Sequence, residues 1–250
     1  MDMTGNTILV TGGTSGIGRA LAEAFYKGGN TVIIAGRRTE LLANVAASNP
    51  GMATAEFDID DATGIAGFAA RIVAEHPALN VLINNAGIMR TEDLLAEDYA
   101  MDDAEAMIAT NFLGPIRLTT ALLPHLRAQA KAAVLNVSSG LAFVPLSHTP
   151  TYSATKAALH SWSQSLRHQL RATPVEVIEL APPAVATDLM PNWRENPHAM
   201  QLDDYIAQTM ALLDENPRAA EICVPPVRRL RDAERRGNYD AIFAMLNPVI

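Results

Sequence analysis

Residues 7–35 read TILVTGGTSGIGRALAEAFYKGGNTVIIA: two apolar runs separated by a glycine-rich turn and an amphipathic segment. The runs Thr7–Val10 and Thr31–Ala35 are rich in β-branched residues, which predicts two buried strands. Between them, Arg19–Lys27 has apolar residues at helical spacing and stops at a pair of glycines, which predicts a helix. A strand, a glycine turn, a helix and a second strand within about thirty residues are typical of a dinucleotide-binding unit.

The turn after the first strand carries glycines at positions 12, 16 and 18. Glycines let the backbone approach a pyrophosphate, whose negative charge then lies at the N-terminus of the helix. The spacing differs from the common G-x-G-x-x-G pattern, so a purely structural turn stays an alternative. The candidate cofactor-binding residues in this turn are Gly12, Thr14, Ser15, Gly16, Ile17 and Gly18.

Two arginines, Arg37 and Arg38, follow the second strand. NAD-binding proteins usually carry a carboxylate there, which binds the ribose hydroxyl. Guanidinium groups bind a phosphate instead, so the pair predicts NADP(H) as the cofactor. Solvated arginines at a helix start are the alternative, although the helix dipole disfavours cations at that end.

Strands and helices continue to alternate as far as residue 180. The pattern predicts strands over Ala53–Phe57, Val81–Ile83, Ala133–Val137 and Val175–Leu180, and helices over about Glu40–Ala47, Ala62–Glu75, Asp103–Thr120 and Tyr152–Arg171. Six strands that alternate with helices predict an α/β fold of the Rossmann type, a doubly wound parallel sheet with helices on both faces. We expect residues 1–250 to form a single dinucleotide-binding domain of this kind.

Open parallel sheets bind ligands at the carboxyl ends of their strands. Asp58 and Ile59 follow the third strand, where they would lie at the edge of an adenine ring; an ordinary strand end is the alternative. After the fourth strand, the small residues Asn85, Ala86 and Gly87 would let a flat cofactor lie close to the backbone.

Tyr152 and Lys156 stand four residues apart and therefore share one face of a helix. A free phenol has a pKa of about 10, and a nearby cation lowers it because the phenolate is stabilised. A tyrosine tuned in this way can exchange a proton with an alcohol or an alkoxide. A chance pair is the alternative. Two further candidates are Asn111, an amide within an apolar helix face, and the serine pair Ser138-Ser139 at a strand end.

The composition excludes several classes of protein. An apolar content of 49% predicts a well-buried core, and a net charge of −8 argues against nucleic-acid and anionic-membrane surfaces. A nucleic-acid role for the arginines of residues 228–236 conflicts with this charge, and a solvated helix face is preferred. The single cysteine, Cys223, excludes an internal disulfide. With neither a signal peptide nor a run long enough to span a bilayer, we expect a soluble, cytoplasmic protein.

The last quarter of the chain has weaker patterns. Residues 188–215 are rich in proline, methionine and aromatic residues and are interpreted as a substrate lid, with a packed surface loop or an oligomer contact as alternatives. Residues 216–250 are treated as a C-terminal extension. Glu215–Arg236 is expected to be helical apart from Pro225-Pro226, and Ala241–Leu246 to be an edge strand or a short helix.

These motifs, in this order, resemble the short-chain dehydrogenase/reductase family from the N-terminus to about residue 190. Residues 11–18 resemble the TGxxxGxG cofactor loop of that family, and residues 84–87 match its NNAG motif. Its catalytic tetrad corresponds to Asn111, Ser139, Tyr152 and Lys156, with Ser139 chosen because the family serine usually precedes the tyrosine by thirteen residues. The chain is also similar to a bacterial subgroup labelled as linked to D-alanine esterification, a label that implies no chemistry for this site.

Two departures from the family pattern are visible. Pro182-Pro183 stands where the family often has Pro-Gly, which leaves open the path of the chain towards Thr187. The C-terminal quarter also lacks an obvious copy of the seventh strand of the family.

The resemblance implies an NADPH-dependent reaction that interconverts a carbonyl and an alcohol, with Tyr152 as general acid and base. Ser139 would orient the reacting oxygen. Tyr152 and Lys156 would also bind the cofactor, Lys156 through the nicotinamide ribose. Asn111 would hold a water for proton relay, and Thr187, near Pro182, would hold the carboxamide of the cofactor. Family members are commonly homodimers or homotetramers.

The substrate pocket is expected to be largely apolar, which suggests a small hydrophobic ketone, aldehyde or alcohol. Its candidate wall residues are Leu141, Phe143, Val144, His148, Leu189, Met190 and Trp193. His148 could bind a polar group of the substrate, although an ordinary loop histidine is preferred. The other functional hypothesis is a non-catalytic NADP(H) sensor or partner-binding protein on the same fold, against which the complete Asn-Ser-Tyr-Lys set argues.

Overall fold

A seven-stranded parallel sheet forms the centre of the computed structural model, which describes residues 1–248. Its strands lie in the order β3-β2-β1-β4-β5-β6-β7. They are β1 (Thr7–Thr11), β2 (Thr31–Gly36), β3 (Ala53–Glu56), β4 (Leu79–Asn84), β5 (Ala132–Val137), β6 (Val175–Leu180) and β7 (Glu221–Ile222). The order reverses direction between β1 and β4, which is where doubly wound sheets open a crevice for a ligand. The predicted Rossmann-type α/β fold and all six predicted strands are confirmed.

Helices cover both faces of this sheet. They are α1 (Gly16–Lys27), α2 (Thr39–Ser48), α3 (Ile65–Glu75), α4 (Asp102–Ile108), α5 (Gly114–Ala128), α6 (Pro150–Leu170), α7 (Leu202–Glu215), α8 (Arg228–Arg231) and α9 (Tyr239–Leu246). Helical structure is present over each helix predicted before residue 172. Most ends differ by a few residues, but the helix predicted to end at Thr120 continues to Ala128.

Two apolar clusters, one on each face, hold the layers together. Alternate strand residues such as Leu9 and Leu82 pack with the apolar sides of α3, α5 and α6. Their neighbours, such as Val10 and Ile83, pack with α1, α2 and α7 on the other face. Because both faces are covered, the central strands are buried along nearly their whole length, which explains their continuous apolar sequence.

The C-terminal region differs from its prediction. Helical structure over Glu215–Arg236 was expected, but β7 lies within this range and pairs in parallel with the end of β6. A short 3-10 turn over Pro225–Val227 then leads into α8. The prediction missed β7 because two residues are too few to show a strand period. Ala241–Leu246 belongs to the helix α9; the proposed extension 216–250 also includes residues 249–250, which lie outside the described part of the chain.

A π-helical segment, Ala109–Leu113, joins α4 to α5. The sequence predicted one α-helix through this region, and the structure instead has a continuous helical run with one wide turn that contains Asn111. By length and composition alone, the run Asp102–Ala128 could cross a membrane, with a mean hydropathy of 1.2. The expectation that no run is long enough is therefore wrong, but α5 packs its apolar side against the sheet, as core helices of α/β proteins do.

Residues 188–215 consist of an irregular segment and a packed helix. A short 3-10 turn, Trp193–Glu195, lies in the first half. The second half is α7, which buries Tyr205 and Leu213 against the rest of the protein. The role of this range as a lid stays a prediction.

Candidate active site

The helix α6 brings Tyr152 and Lys156 to the carboxyl end of β5. Both side chains are buried, and the Lys156 ammonium lies 5.5 Å from the centre of the Tyr152 ring. Lys156 Nζ donates a hydrogen bond to the carbonyl oxygen of Val137, the last residue of β5, at 2.9 Å. The pair is therefore anchored to the sheet at a strand end, where the fold places ligands.

The two serines after β5 point in different directions. Ser139 begins a 3-10 turn, and its hydroxyl accepts a hydrogen bond from the Leu141 amide at 3.1 Å. This hydroxyl also contacts the Tyr152 phenol closely enough to influence its pKa. Ser138 instead donates its hydroxyl to the carboxylate of Glu179 in β6. Ser139 is thus the serine that lies with Tyr152.

Burial decides the proton affinities of this pair. The pKa of Tyr152 is raised to about 12, because burial disfavours the phenolate more than the hydrogen bond with Ser139 favours it. The pKa of Lys156 is lowered to about 8, because burial disfavours the ammonium, and the charge of Glu179 partly opposes this shift. The sequence predicted a lowered pKa for Tyr152, whereas burial raises it.

The π-helical turn directs Asn111 into the same region. Its side chain is fully buried and forms two hydrogen bonds, both of 2.8 Å, with the backbone of Ile88: it accepts from the amide and donates to the carbonyl. A side chain at Gly87 would lie 3.2 Å from Asn111 Oδ1 and 3.6 Å from Lys156 Nζ. The turn after β4, Asn111 and Lys156 consequently meet at one place.

The glycine turn is held against the end of β4. A side chain at Gly12, where φ is +65°, would come within 2.9 Å of the Ala86 Cα atom, so only glycine fits. The hydroxyl of Thr11 accepts hydrogen bonds from the amides of Asn85 and Ala86 at 3.0 and 3.1 Å. The Asn85 side chain donates back to the Thr11 carbonyl at 3.1 Å. Thr11 was not singled out from the sequence as a binding residue, although it begins the motif.

The two arginines after β2 occupy different positions. Arg38 lies over the glycine turn, and its guanidinium donates to the hydroxyls of Thr14 and Ser15 at 2.8 and 2.9 Å. Arg37 is exposed and lies 3.9 and 3.7 Å from the carboxylates of Asp58 and Asp60. Of the two, Arg38 is the one placed beside the turn.

Asp58 and Ile59 lie at the end of β3, as expected. Ile59 packs against α5: a side chain at Gly114 would lie 2.4 Å from its Cγ1 atom. The hydroxyl of Thr110 donates to Asp60 at 2.7 Å and ties the π-helical turn to this edge.

The chain leaves β6 through Pro182-Pro183 and reaches Thr187, which is buried beside the glycine turn. The backbone at Ala184 and Ala186 pairs with Met200 through hydrogen bonds of 2.8 and 2.9 Å. A side chain at Gly16 would be 3.5 Å from Thr187. Pro183 therefore leaves intact the path towards Thr187, and pairing with Met200 guides it.

Apolar side chains surround Tyr152. Met89 and Met107 are buried with it, and Ile88, Leu141, Leu146 and Met190 pack around them. Leu141 and Met190 lie where the sequence placed them, whereas the two methionines were missed because nothing in their local pattern points to the site. Phe143 and Val144 pack elsewhere, against residues of the C-terminal region. His148 and Leu189 are exposed, and Trp193 is half-buried.

A buried carboxylate, Glu92, fixes the start of α6. Its two oxygens accept hydrogen bonds from the amide and the hydroxyl of Thr151 at 2.9 and 2.8 Å, and from the hydroxyl of Tyr99 at 2.9 Å. A carboxylate at a helix N-terminus satisfies free amides and complements the helix dipole. Glu92 thereby positions the residue directly before Tyr152. Its contact with α6 is distant in sequence, so sequence reasoning missed it.

The glycine turn fits the pyrophosphate of a dinucleotide. Ser15 precedes α1 but its side chain caps none of the helix amides, and the first turn of α1 has no acidic residue. An uncapped helix N-terminus behind a glycine turn is a typical phosphate-binding arrangement.

The structure combines a parallel sheet, a glycine turn before α1 and a buried Tyr-Lys pair on α6. These features define a class of α/β proteins with a dinucleotide-binding fold. A family model described as short chain dehydrogenase matches residues 6–198. The chain belongs to the short-chain dehydrogenase/reductase family, whose members are oxidoreductases.

Comparison with individual proteins agrees with this assignment. The chain is 42% identical to the uncharacterized oxidoreductase DltE of Bacillus subtilis, over 99% of this chain and 98% of that protein. It is 33% identical to the NADP-dependent 3-hydroxy acid dehydrogenase YdfG of Salmonella typhi, over 70% and 71% of the two chains. A short chain dehydrogenase from Burkholderia cenocepacia, solved in complex with NADP, superposes with a TM-score of 0.83 at 26% identity and covers 98% of this chain and 99% of that one.

Proposed function

We propose that this protein is an NADP(H)-dependent oxidoreductase that interconverts a carbonyl and an alcohol, with Tyr152 as general acid and base. The observation that carries the proposal is the convergence of four side chains, Asn111, Ser139, Tyr152 and Lys156, beside a glycine turn that fits a dinucleotide. A protein that only binds a cofactor has no need of a buried phenol with a lysine beside it.

The residues around the glycine turn would hold the cofactor. The amides at the start of α1 would bind the pyrophosphate, and Arg38 would bind a phosphate on the adenosine ribose. Arg37 would contribute less, because Asp58 and Asp60 compete for its guanidinium. The NADP named with the Burkholderia cenocepacia and Salmonella typhi proteins supports this choice over NAD. When bound, NADPH supplies a hydride to a carbonyl carbon.

The side chains of the protein would supply the one proton that the substrate oxygen needs. With a pKa of about 12, Tyr152 is protonated at neutral pH and can donate to the oxygen of a substrate as negative charge develops there. Lys156, 5.5 Å from the ring centre, would stabilise the phenolate that results. Ser139 would donate a hydrogen bond to the same substrate oxygen and orient it. The side-chain amide of Asn111 binds the backbone of Ile88 and would hold it in place near Lys156. Asn111 would also bind the water that relays protons.

Apolar residues around Tyr152 favour a small hydrophobic carbonyl or alcohol. Met89, Met107 and Met190 are flexible and polarisable, so they can fit several shapes. Of the predicted lid, residues 188–215, the irregular first half would close over this substrate, with α7 as its packed second half. We further propose a cytoplasmic homodimer or homotetramer.

Deuteride transfer tests the reaction directly. Purified protein is mixed with NADPH deuterated at the nicotinamide C4 position, as separate 4R and 4S forms, and with a panel of apolar ketones, aldehydes and 3-oxo acids. We expect one form to deliver deuterium to the carbinol carbon of at least one product alcohol. Tight NADPH binding without deuterated product across the panel would favour the non-catalytic sensor.

A further inference from the structure

A row of polar residues extends along α6 beyond the catalytic pair. Tyr152, Lys156, His160 and Gln164 follow one another at intervals of four and share one face of the helix. The row passes from the buried centre of the site to the surface, where Gln164 is exposed. The proposed chemistry uses only its first two members.

Glu179 of β6 lies against this row with no exposed surface. One of its oxygens accepts a hydrogen bond from the Ser138 hydroxyl, and the other accepts from His160 Nδ1 at 2.7 Å. Ser138 follows Val137, whose carbonyl binds Lys156, and His160 lies one turn of α6 after Lys156. Glu179 is therefore held between the residue that follows Val137, the hydrogen-bond partner of Lys156, and a side chain one helical turn after Lys156.

His160 links the carboxylate to the surface end of the row. Its Nδ1 donates to Glu179, because a carboxylate can only accept, and its Nε2 lies 2.7 Å from the side-chain amide nitrogen of Gln164.

The other titratable groups near Glu179 have partners of their own or are uncharged. Glu221 of β7, 3.8 Å from His160, is bound by the guanidinium of Arg231 of α8 through two hydrogen bonds of 2.7 and 3.0 Å. Burial raises the pKa of the Cys223 thiol at the end of β7 to about 11, so it is uncharged. Arg167 of α6 binds the carbonyls of Val177 and Ala220. Within residues 1–248, no lysine or arginine forms an ion pair with Glu179.

We propose that Glu179, held by Ser138 and His160, is a positioning residue for the catalytic centre, whose buried negative charge keeps the Lys156 ammonium protonated and in place beside Tyr152. A buried cation is costly without a compensating charge. Burial already lowers the pKa of Lys156 to about 8, and the charge of Glu179 is the influence that opposes this shift. Removal of that charge would lower the pKa of Lys156 further, so that a substantial fraction of the amine would be neutral at neutral pH. The catalytic consequence rests on the proposed function, but the charge relation between Glu179 and Lys156 does not.

The test is an NMR titration of the lysine side chains, which needs neither cofactor nor substrate. The chain has three lysines, Lys27, Lys131 and Lys156, so 13C labelling at Cε gives three resonances, assigned through Lys→Arg variants. In Glu179→Gln we expect the titration midpoint of Lys156 to fall by about one pH unit or more, with the other two unchanged. Glu176→Gln, the same change at an exposed position of β6, is the matched control and should leave Lys156 unchanged. An unchanged Lys156 midpoint in Glu179→Gln overturns the inference.

A thermodynamic cycle covers the case in which Glu179→Gln does not fold alone. In the Lys156→Met background the buried carboxylate has lost its partner, so adding Glu179→Gln should raise the unfolding temperature above that of Lys156→Met. A lower unfolding temperature of the double variant contradicts the inference.

The activity of the same variants separates the two proposals. If the wild type reduces a carbonyl, Glu179→Gln should move the pH dependence of kcat in the acid direction with the Lys156 midpoint, while Glu179→Asp, which keeps the charge, should restore it. If the midpoint moves but the wild type reduces no carbonyl, the proposed function fails and the charge relation stands.

Discussion

Lys156 is a cation in a place that disfavours one. Its ammonium is buried, it donates to one backbone carbonyl, and its pKa is lowered to about 8. An aliphatic side chain would pack there more favourably, so the lysine is retained for the site rather than for stability. This conclusion at the scale of single residues leads to a prediction that is independent of catalysis.

Lys156→Met should change how stability depends on pH. Unfolded lysine holds its proton to about pH 10.4, whereas folded Lys156 releases it near 8, so between these values the unfolded state of the wild type binds more protons. The free energy of unfolding of the wild type, relative to Lys156→Met, should therefore rise by about 2–3 kcal/mol from pH 7 to pH 10. Denaturant unfolding at several pH values measures it, and a constant difference would show that the lysine is not titrating in this window.

Arg38 is the residue that should select the cofactor. It lies on the glycine turn through hydrogen bonds with Thr14 and Ser15, where we propose that it binds the ribose phosphate. We expect Arg38→Ala to weaken NADPH binding by about 10–100-fold and NADH binding little, since one charge-assisted contact is lost. Fluorescence titration with both cofactors measures this, with Arg71→Ala, at an exposed position of α3, as control. Equal weakening of both cofactors would remove the phosphate role from Arg38.

At the scale of elements, the position of α6 depends on a residue outside it. Glu92 binds the first turn of the helix through Thr151, and Tyr99 completes its contacts. Tyr152 follows Thr151 directly, so the contacts that cap this helix also determine where the phenol lies.

Glu92→Gln should destabilise the protein. The amide replaces one accepting oxygen with a donor and removes the charge that complements the helix dipole, which we expect to lower the free energy of unfolding by about 1–2 kcal/mol. Glu97→Gln, an exposed change in the same segment, should alter it by less than about 0.5 kcal/mol. Equal effects of the two substitutions in thermal unfolding would show that the cap contributes nothing.

The packing of α5 against Ile59 can be tested by alanine substitution at two glycines, for which we expect opposite effects on stability. A methyl group at Gly114 would lie 2.9 Å from the Ile59 carbonyl oxygen, so Gly114→Ala should cost about 1–3 kcal/mol. At Gly67, within α3, nothing lies within 4 Å, so Gly67→Ala should add about 0.5–1 kcal/mol of stability. Denaturant unfolding decides; destabilisation by both changes to a similar degree would contradict the packing of α5 on Ile59.

For the whole molecule, the sequence predicted the structure well where the apolar pattern is regular and where glycines mark the turns. The β-branched and apolar runs predicted six strands, because fully buried parallel strands need continuous apolar residues. The glycines between the first strand and the first helix predicted the turn that joins them. It failed where a feature spans few residues or depends on distant contacts. β7 has two residues, the π-helical turn keeps a helical pattern, and Glu92, Met89 and Met107 meet Tyr152 or its helix only through the fold.

The direction of the tyrosine pKa shows the same limit. The spacing of Tyr152 and Lys156 predicts a cation near a phenol, and the two are near each other. Spacing does not reveal burial, and burial raises the pKa of Tyr152 to about 12. Tyr152 is therefore protonated at neutral pH, as a general acid must be before it donates its proton.

The measurement that tests the central claim most directly compares the wild type with Tyr152→Phe in NADPH-dependent reduction of the best carbonyl found in the panel. Because Tyr152 is assigned the proton transfer and no essential role in folding, the variant should bind NADPH with similar affinity and lose about 10²–10⁴-fold in kcat. A Tyr152→Phe variant that binds NADPH and turns over at the wild-type rate would contradict the account.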